Sequence, residues 1–509
     1  MTTARTTAVA VEGVAGRLVE IEAALTNQTP GLKLVGLPDT ALREAQARVR
    51  SAIEHSGFTM PTRHLTVNLS PAALPKHGSG FDVAIAVAVL LTQRVVEPEA
   101  VRDAVLIGEL GLDGRLRPVP GVLPAVRAAL RAGRTRFVVP TACEAEARLV
   151  EGVEVTAVPS LRALAIRLGA ELEPVEVDPV PLAAVAQPAG TERRDLADVL
   201  GQDDAVQALL VAAAGGHHLL MTGPPGSGKT MLATRLADLL PDLEGEEALD
   251  ATCVASLGGA VDAVRTRPPF VAPHHTSTPA AIVGGGSGRI VPGAVTRASG
   301  GVLFLDEAPE FQAAALDALR EPLETGRITI HRAAGHADFP ARVQLVLAAN
   351  HCPCGRFRSD EGGCACASSV RDRYLRRISG PLRDRIDIRL EVAQPGAAGL
   401  HVAEDVPGVT TADARERVHE ARQRADRRLA GTPWRVNAQV PGERLRRPEW
   451  RLSPRDRGRL DEAVGRGTIS LRGHDRVLRM AWTLADLAGL DRPGALQVGA
   501  ALALRGDDL

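Results

Sequence analysis

Residues 223–230, GPPGSGKT, have the residue types and the spacing of a phosphate-binding loop, G-x-x-x-x-G-K-[ST]. An apolar run ending at Met221 precedes them and the helix-like sequence MLATRLADLL follows. In such a loop, backbone N–H groups face phosphate oxygens, the lysine adds positive charge, and the threonine hydroxyl reaches Mg²⁺. The sequence therefore predicts a site for a nucleoside triphosphate and Mg²⁺. The predicted binding residues are Gly223, Pro224, Pro225, Gly226, Ser227, Gly228, Lys229 and Thr230.

An acidic pair, Asp306 and Glu307, follows the short apolar run VLFL, which is typical of a buried parallel strand. Because ligands bind at the carboxyl ends of strands in α/β sheets, these carboxylates are expected to face the phosphates. Asp306 is predicted to hold Mg²⁺, and Glu307 to orient and deprotonate the attacking water. That is the chemistry of hydrolysis. The alternative is that the pair only starts an exposed helix.

Polar residues further along the chain extend the predicted catalytic set. Asn350 follows a strand-like run, and its neutral amide could hydrogen-bond the water or the γ-phosphate. Arg385 is the predicted arginine that reaches a neighbouring subunit's γ-phosphate, with Arg383 as second choice and a surface salt bridge as the alternative. Arg472 or Arg476, on a predicted helix near the C-terminus, could touch phosphate from a lid.

Four of the six cysteines form the pattern C-x-C-x₉-C-x-C, namely Cys352, Cys354, Cys364 and Cys366. Four thiolates suit tetrahedral Zn²⁺. The C-x-C spacing is less diagnostic than C-x₂-C, because ligands two residues apart need an unusual backbone. We therefore predict a structural Zn²⁺, with four reduced thiols as the alternative and an iron–sulfur cluster less favoured. The other two cysteines are expected to be isolated core residues.

The composition restricts the classes of function. A chain of 509 residues is expected to hold about three domains. Its net charge of −1 means that any contact with nucleic acid must be local. The most apolar run, residues 83–91, is far shorter than the roughly 20 residues of a spanning helix. With no targeting signal visible, we expect a soluble, cytoplasmic protein with no membrane partner.

Changes in pattern along the chain suggest the domain boundaries. Residues 1–170 alternate strand-like and helix-like segments, and the Pro/Ala/Val-rich stretch 171–194 is predicted to be a linker. Residues 195–395 are predicted to form the nucleotide-binding core. Residues 396–509 are rich in helix formers and are predicted to form a helical C-terminal domain.

Five ordered blocks carry a family resemblance: GGHHLLMTGPPGSGKT, RPPFVAPHHTSTPAAIVGGG, GGVLFLDEAPEF, ITIHRAAGHADFPARVQLVLAANHCPCGRF and YLRRISGPLRDRIDI. They resemble an AAA+ ATPase and, more narrowly, the ComM/YifB family of magnesium-chelatase-like ATPases. The resemblance covers nearly the whole chain. It implies an α/β fold with an AAA+ P-loop NTPase core and a helical C-terminal lid. It also implies a ring, expected to be a homo-hexamer, with ATP at the subunit interfaces.

Similar family members act as DNA motors, helicases that drive branch migration, including recombination of transforming DNA. Two inserts are the expected DNA contacts. One is residues 274–288, a Ser/Thr/Gly-rich loop that interrupts a helix. The other is residues 327–340, predicted to be a β-hairpin with AAGHAD at its tip. The predicted contacts are Arg327, His331, Arg332 and His336, which could grip phosphates. The hairpin could equally touch a protein substrate or serve only in ring packing.

The amino-terminal domain resembles the α+β proteolytic domain of Lon, a ribosomal protein S5 domain 2-like fold, which raises the rival function of an ATP-dependent protease. Lon-type catalysis needs a Ser nucleophile and a Lys base. The resemblance places Gly80 at the nucleophile position and Leu123 at or near the base position. Ser79 lies one residue away, without a lysine downstream in the domain. The domain is therefore expected to be a scaffold and not a protease.

Three functions compete. The leading prediction is an ATP-driven DNA translocase or branch-migration helicase. The runner-up is a chelatase- or chaperone-like ATPase that remodels a protein partner, because the same core motifs serve both. The basic hairpin and the fused Lon-like domain favour DNA. A nucleotide-binding regulator without hydrolysis is disfavoured by the presence of Glu307, Asn350 and Arg385.

Overall fold

The computed structural model describes residues 3–506, apart from 28, 37–39, 73, 75–77, 182–194, 260, 287–289, 333–334, 358–362 and 395–407. Helices and strands occur in three groups: an amino-terminal sheet with its helices, a parallel sheet with helices on both faces, and a set of C-terminal helices. Residues 171–181 carry no helix or strand. The rest of the predicted linker lies outside the described residues.

The amino-terminal group is built on a seven-stranded mixed sheet with the order β3-β4-β2-β1-β5-β8-β9. The strands of this group are β1 Thr3–Glu12, β2 Ala15–Thr26, β3 Gly31–Val35, β4 His64–Ser70, β5 Ala104–Leu106, β6 Glu109–Leu110, β7 Leu116–Arg117, β8 Arg136–Pro140 and β9 Glu154–Val158. The helices are α1 Thr40–His55, α2 Asp82–Thr92, α3 Pro98–Val101, α4 Val122–Arg131, α5 Glu144–Ala147 and α6 Leu161–Arg167. Helix α2 is buried along its whole length, which explains why its sequence is the most apolar run in the chain.

The central group contains a five-stranded parallel sheet with the order β11-β14-β17-β10-β18. Its strands are β10 Leu219–Thr222, β11 Phe270–Val271, β14 Val302–Leu305, β17 Gln344–Ala349 and β18 Ile388–Glu391. Its helices are α7 Asp203–Gly215, α8 Lys229–Leu239, α9 Gly245–Ser256, α10 Pro279–Val283, α11 Ala294–Arg297, α12 Ala313–Asp317, α13 Arg320–Thr325, α14 Ser368–Leu375 and α15 Gly380–Arg383.

The parallel sheet is buried on both faces because successive side chains of its apolar strands alternate between two cores. Phe304 and Met221 belong to the core shared with α7, α8 and the C-terminal helices. Leu303 and Leu220 belong to the core on the other face, with α11 and α12. This double burial accounts for strands that are continuously apolar in sequence.

Two short antiparallel pairs project from the central group. One pairs β12 Gly284–Gly285 with β13 Val291–Pro292, between α10 and α11. The other pairs β15 Arg327–Arg332 with β16 Gly335–Pro340. Residues 274–288 are only in part the predicted loop, because helix α10 and strand β12 lie within them. The hairpin turn is also shorter than predicted, because His331 pairs with His336.

The C-terminal group consists of helices that pack on the central one. They are α16 Thr411–Leu429, α17 Gly442–Leu445, α18 Pro454–Gly465, α19 Leu471–Leu487 and α20 Ala495–Arg505. Residues from α16 and α19 share one apolar core with α7. The predicted fold class is therefore confirmed. Among the described helices, none combines the length and apolar character needed to cross a bilayer.

Candidate active site

The predicted phosphate-binding loop lies between β10 and α8, as its sequence context requires. Gly228, directly before the helix, has φ 89°, a left-handed conformation that favours glycine. The ammonium group of Lys229 is curled into the loop and donates to the Gly223 carbonyl at 2.9 Å and the Pro224 carbonyl at 2.7 Å. Burial lowers the pKa of Lys229, and the Asp306 and Glu307 carboxylates partly oppose that shift. The loop is thus assembled around its lysine.

The Thr230 hydroxyl and the Asp306 carboxylate meet at the start of α8 and the end of β14. Thr230 Oγ1 donates to Asp306 Oδ2 at 2.9 Å. A hydroxyl and a carboxylate oxygen are the donors that Mg²⁺ takes at such sites, together with phosphate oxygens. The two side chains therefore fit a Mg²⁺ site beside the phosphate loop.

Asn350, at the end of β17, also reaches this site. Its Oδ1 accepts from Lys229 Nζ at 3.3 Å. Strand β17 lies between β10 and β14, so three adjacent parallel strands deliver their terminal residues to one edge of the sheet. Lys229, Thr230, Asp306 and Asn350 are brought together by this arrangement. In the sequence, each of these residues follows an apolar run. In the structure, those runs are the adjacent strands β14, β17 and β10.

Glu307 follows Asp306 with an unusual backbone. Its φ is 50° and its ψ is 45°, a left-handed conformation that is uncommon for residues other than glycine. Its amide N–H donates to Asp306 Oδ1 at 2.9 Å. The Glu307 carboxylate is half-exposed, and His275 Nδ1 lies 3.5 Å from its Oε2. His275 lies in the insert 274–288, a predicted DNA contact, and the sequence does not predict its contact with Glu307, although the HH pair after the strand-like FV was a visible signal.

The three predicted arginines lie near the opposite edge of the sheet. Asp387 directly precedes β18, and Ile388 pairs with Leu219 at the start of β10, so this edge is a strand length, roughly 13 Å, from the phosphate loop. Arg476 Nη1 lies 2.5 Å from Asp387 Oδ1. The other two arginines pair nearby with carboxylates: Arg385 with Glu324 at 2.6 Å and Arg472 with Asp384 at 3.6 Å. Within one chain, none of these three is brought to the phosphate loop.

A buried network surrounds Asp387. Burial alone would raise its pKa, but Arg476 and His217 hold the pKa well below the usual range. The Asp387 carboxylate also accepts from the His218 amide at 3.2 Å. Burial lowers the pKa of His218 to about 4. This network fastens α19 to the amino end of β18, so the Arg476 guanidinium already has a buried partner.

The hairpin of β15 and β16 presents one face to solvent and the other to the core. Ile328, Ala337 and Phe339 are buried, whereas the alternate residues are exposed. The His331 and His336 rings lie side by side on the exposed face, with centroids 6.1 Å apart. Arg327 starts the same face, and Arg332 ends β15 with a side chain outside the described part of the structure. The exposed face also carries Asp338, which accepts from the Thr329 hydroxyl at 2.6 Å.

The four cysteines after Asn350 converge in space. Their Sγ atoms all lie within 4.8 Å of one another. The Sγ atoms of Cys352 and Cys354 are 3.3 Å apart, and each lies 3.7 Å from the Sγ atom of Cys364. With Zn–S bonds of about 2.3 Å, a tetrahedral site has sulfur atoms about 3.8 Å apart, so the thiolates fit Zn²⁺. The remaining two cysteines, Cys143 and Cys253, are buried elsewhere.

The Lon-like region has a different polar cluster where a protease would have its dyad. The Ser79 hydroxyl donates to the Glu109 carboxylate. Leu123 is buried at the start of α4, and its amide donates to Glu146 at 2.7 Å. Buried Asp82 pairs with Arg48 at 2.7 Å. Among the described residues, no lysine contacts Ser79. Lys76 lies outside them.

Comparison with known protein families defines the class. Residues 195–399 match the family "Magnesium chelatase, subunit ChlI", residues 21–143 match "Subunit ChlI of Mg-chelatase", and residues 408–505 match "Magnesium chelatase, subunit ChlI C-terminal". With the phosphate loop, the acidic pair and the parallel sheet, these matches identify a magnesium-chelatase-like ATPase of the AAA+ type.

Full-length relatives narrow the class to one family. An uncharacterized protein of Mycobacterium tuberculosis is 48% identical over 99% of both chains. The uncharacterized protein YifB of Escherichia coli is 38% identical over 93% of this chain and 91% of its own length. The competence protein ComM of Haemophilus influenzae is 39% identical over 94% of this chain and 92% of its own. The chain belongs to the ComM/YifB family. A quarter of it also resembles Lon protease of Salinispora arenicola, with 30% identity over 143 residues.

Proposed function

We propose that this protein is a ring-forming ATPase that uses ATP hydrolysis to move along DNA, as a branch-migration helicase would in recombination or natural transformation. The main support for ATP hydrolysis is a set of four residues that meet at one edge of the parallel sheet. They are Lys229, Thr230, Asp306 and Asn350. The relative named a competence protein, similar over nearly the whole chain, supports the role on DNA.

ATP binding uses groups that the loop already holds in place. The amides of residues 226–230 and the start of α8 face the phosphates, and Lys229 exchanges its carbonyl partners for phosphate oxygens. Thr230 and Asp306 would hold Mg²⁺, which when bound neutralises charge on the β- and γ-phosphates. The other predicted loop residues, Gly223, Pro224 and Pro225, shape the turn.

Glu307 is the proposed general base. Its carboxylate is half-exposed and follows Asp306 directly, so it is the group that would take the proton from the water that attacks the γ-phosphate. Asn350 would orient that water or the γ-phosphate through its amide. Because Asn350 contacts Lys229 directly, it joins the end of β17 to the phosphate loop.

We further propose that the arginines act between subunits. Arg385, Arg472 and Arg476 lie near the amino end of β18, whereas the phosphate loop of the same chain lies at the carboxyl end of β10. An arginine that stabilises charge on the transferred phosphate must therefore serve the site of a neighbouring copy. Arg385 is the first choice, because its partner Glu324 is exposed and the ion pair is easily exchanged. This arrangement supports a ring, for which a hexamer is the expected size.

The exposed hairpin face is the proposed DNA contact. Arg327 and the paired rings of His331 and His336 could contact backbone phosphates or stack on bases, and Arg332 is the fourth proposed contact. The carboxylate of Asp338 lies on the same face. The negative charge of Asp338 reduces the positive charge of this face. The proposed contact therefore depends more on the histidine rings than on electrostatic attraction.

A protein-remodelling function is the second candidate. Its support is the match of the central and C-terminal regions to magnesium chelatase subunits. The phosphate site would work identically, and the hairpin would grip a polypeptide. DNA-dependent hydrolysis separates the two candidates.

For the Lon-like region we propose a scaffold role. Ser79 is paired with Glu109, and the position resembling the Lon base is the buried Leu123. A Ser–Lys dyad of the Lon type therefore does not form from these residues.

We propose that the four cysteines hold one structural Zn²⁺. The Gly355 turn, between the second and third cysteines, packs so closely on the phosphate loop that a Cβ there would lie 2.6 Å from Pro225 Cγ. The metal would therefore brace the loop that begins at Asn350. Metal analysis of purified protein should find about one zinc per chain, lost in Cys352→Ser. Protein that is active and free of metal would refute the zinc proposal.

The experiment that tests the proposed function is steady-state ATP hydrolysis, alone and with single-stranded, forked and four-way-junction DNA. We expect DNA to stimulate turnover, and we expect Arg327→Ala with His331→Ala to remove the stimulation while leaving the basal rate intact. The matched control is Arg320→Ala, an exposed arginine outside the hairpin. If none of these DNAs changes the basal rate of ATP hydrolysis, the result would favour the protein-remodelling function.

A further inference from the structure

The C-terminal helices carry a positive charge that the rest of the chain does not share. Residues 411–509 contain 20 arginines, no lysine and 14 acidic residues, a formal charge of +6, although the whole chain carries −1. A nucleic acid is attracted to such a local basic region even when the net charge of the protein is close to zero. The C-terminal group therefore has the charge that binding of a polyanion requires.

Most arginines of this group have a partner within the chain. Arg457, for example, lies 3.0 Å from Asp461. Three arginines at α18 differ, because they are exposed and have no ion-pair partner in the part of the chain that the structure describes. They are Arg455, Arg459 and Arg466. Their guanidinium groups are therefore available to a ligand.

These three arginines lie in one row along α18. Arg459 follows Arg455 by four residues, and Arg466 follows Arg459 by seven, so all three project from the same side of the helix. With a rise of 1.5 Å per residue, the row is about 16 Å long. The other side of α18 is fixed to the core by the buried Leu460. The row is thus a rigid line of positive charge, long enough for several consecutive phosphates of one strand.

A cleft of about 340 Å³ opens beside this row, between α18 and the end of α20. Its apolar lining includes the buried Ala463 and Ile469 and the partly buried Leu502. Arg459 and Arg466 line the same cleft. Unpaired bases stack on apolar side chains and on guanidinium planes, and guanidinium groups also bind backbone phosphates. Because a duplex hides its bases, the cleft fits a nucleotide of a single strand better than a base pair.

The row on α18 and the exposed hairpin lie on opposite sides of the parallel sheet. Leu460 belongs to the core that contains Phe304, whereas Ile328 of the hairpin belongs to the core that contains Leu303. Phe304 and Leu303 are successive residues of β14 and face opposite sides of the sheet. A branched DNA has several arms and can contact both surfaces, whereas a short single strand occupies only one.

We propose that the arginine row of α18 and the adjoining cleft form a second DNA-binding site, which holds a single-stranded arm of a branched DNA. Arg455, Arg459 and Arg466 bind consecutive backbone phosphates, and a base enters the cleft against its apolar lining. The proposal rests on the proposed action on DNA and adds a contact that the hairpin does not supply.

The test is the affinity of the full-length protein for a labelled oligothymidine, measured by fluorescence anisotropy over a range of salt concentrations. Arg459→Ala with Arg466→Ala should raise Kd about five- to tenfold. The slope of log K against log salt should become shallower by about 1.4, because each phosphate contact to a single strand contributes about 0.7. The matched control is Arg417→Ala with Arg427→Ala, which removes two exposed arginines from α16 and should leave Kd unchanged.

A variant of opposite sign sharpens the test. Glu462 is exposed on the same side of α18, between Arg459 and Arg466, and lines the cleft. Its negative charge repels phosphate, so Glu462→Gln should lower Kd for the oligothymidine about twofold. With forked DNA, the concentration that half-maximally stimulates ATP hydrolysis should rise in the Arg459 and Arg466 double variant, while the maximal rate stays unchanged.

A photocrosslink locates the site directly. An oligothymidine that carries 5-iodouracil should crosslink, on irradiation, to a peptide from α18 or from the end of α20. Crosslinks confined to the hairpin, residues 327–340, would overturn the inference. Wild-type affinity in the double variant would also overturn it, and so would wild-type protein that binds no oligothymidine, which would leave an acidic protein segment as the candidate for the cleft.

Ring assembly is the remaining control. If light scattering shows that the double variant loses its ring together with its affinity, the arginines belong to a subunit contact and the inference is wrong. Failure of the proposed function has a different signature. In that case no DNA changes the rate of ATP hydrolysis, while the double variant still binds oligothymidine more weakly than the wild type.

Discussion

The two ends of the parallel sheet are built from similar residue types but in opposite states. At the carboxyl end, Lys229 and Thr230 lie beside carboxylates that are open to a ligand. At the amino end, Asp387 and Arg476 form a buried ion pair, with Arg476 Nη1 2.5 Å from Asp387 Oδ1. Lys229, Thr230 and Asp306 at the carboxyl end are the groups proposed to bind phosphate and Mg²⁺. The amino end holds the C-terminal helices in place. Its Arg385 and Arg472 form ion pairs with partly exposed carboxylates, and each arginine could exchange that partner for a phosphate.

This difference supports the proposal that an ATP site is completed by residues of two copies of the chain. Within one chain, the strand direction places the phosphate loop and the arginines at opposite edges of the sheet; in the proposed ring, a second copy brings them together.

The largest effect is expected for Arg385→Ala. Loss of an arginine that stabilises the transferred phosphate should lower kcat by about 10³–10⁵-fold. Because the pair with Glu324 is exposed, folding should be intact and ATP binding retained, which fluorescence of a bound nucleotide analogue would measure. Arg383→Ala is the matched control. A loss in Arg383→Ala with normal turnover in Arg385→Ala would move the role to Arg383.

Glu307→Gln should come next. Removal of a general base should lower kcat by about 10²–10⁴-fold while the phosphate loop still binds ATP. The variant should trap ATP and stabilise the ring, which size-exclusion chromatography with light scattering would detect. Undiminished turnover would contradict the assignment of the carboxyl end as the hydrolytic site.

The smallest effect concerns stability and not turnover. Asp387→Asn leaves Arg476 buried without its charge partner and should lower the free energy of unfolding by about 3–5 kcal/mol. Asp384→Asn, whose partner Arg472 is exposed, should lower it by no more than about 1 kcal/mol. Urea unfolding compares the two. If the two variants lower the free energy of unfolding equally, the buried pair at the amino end does not stabilise the protein more than an exposed pair does.

The sequence predicted the carboxyl end well because its signals are local. The phosphate loop, the acidic pair after VLFL and Asn350 after VQLVLAA each follow a run of residues that forms a buried strand. The amino end was not predictable in the same way. The contact of Asp387 with Arg476, 89 residues later, and with the His217–His218 pair depends on strand order and helix packing. These long-range relations leave no periodic signal in one chain.

Two smaller features of the structure were also not predicted from the sequence. Residues 274–288 are rich in Ser, Thr and Gly, yet α10 forms there because Thr278 caps it and Ile282 is buried. The contact between His275 and Glu307 was not predictable because the two residues lie 32 positions apart and the contact depends on a left-handed backbone at Glu307. Local composition predicts turns well, but it does not reveal which tertiary contacts override it.

The most direct test of the account is to mix two inactive variants, Lys229→Ala and Arg385→Ala, and to measure ATP hydrolysis. Each variant alone should be inactive. In mixed rings, an intact phosphate loop from the Arg385→Ala subunit meets an intact Arg385 from the Lys229→Ala subunit at about a quarter of the interfaces. The account therefore predicts that activity returns on mixing. If the mixture stays as inactive as its components while mixed rings are shown to form, the two ends of the sheet do not serve each other between subunits.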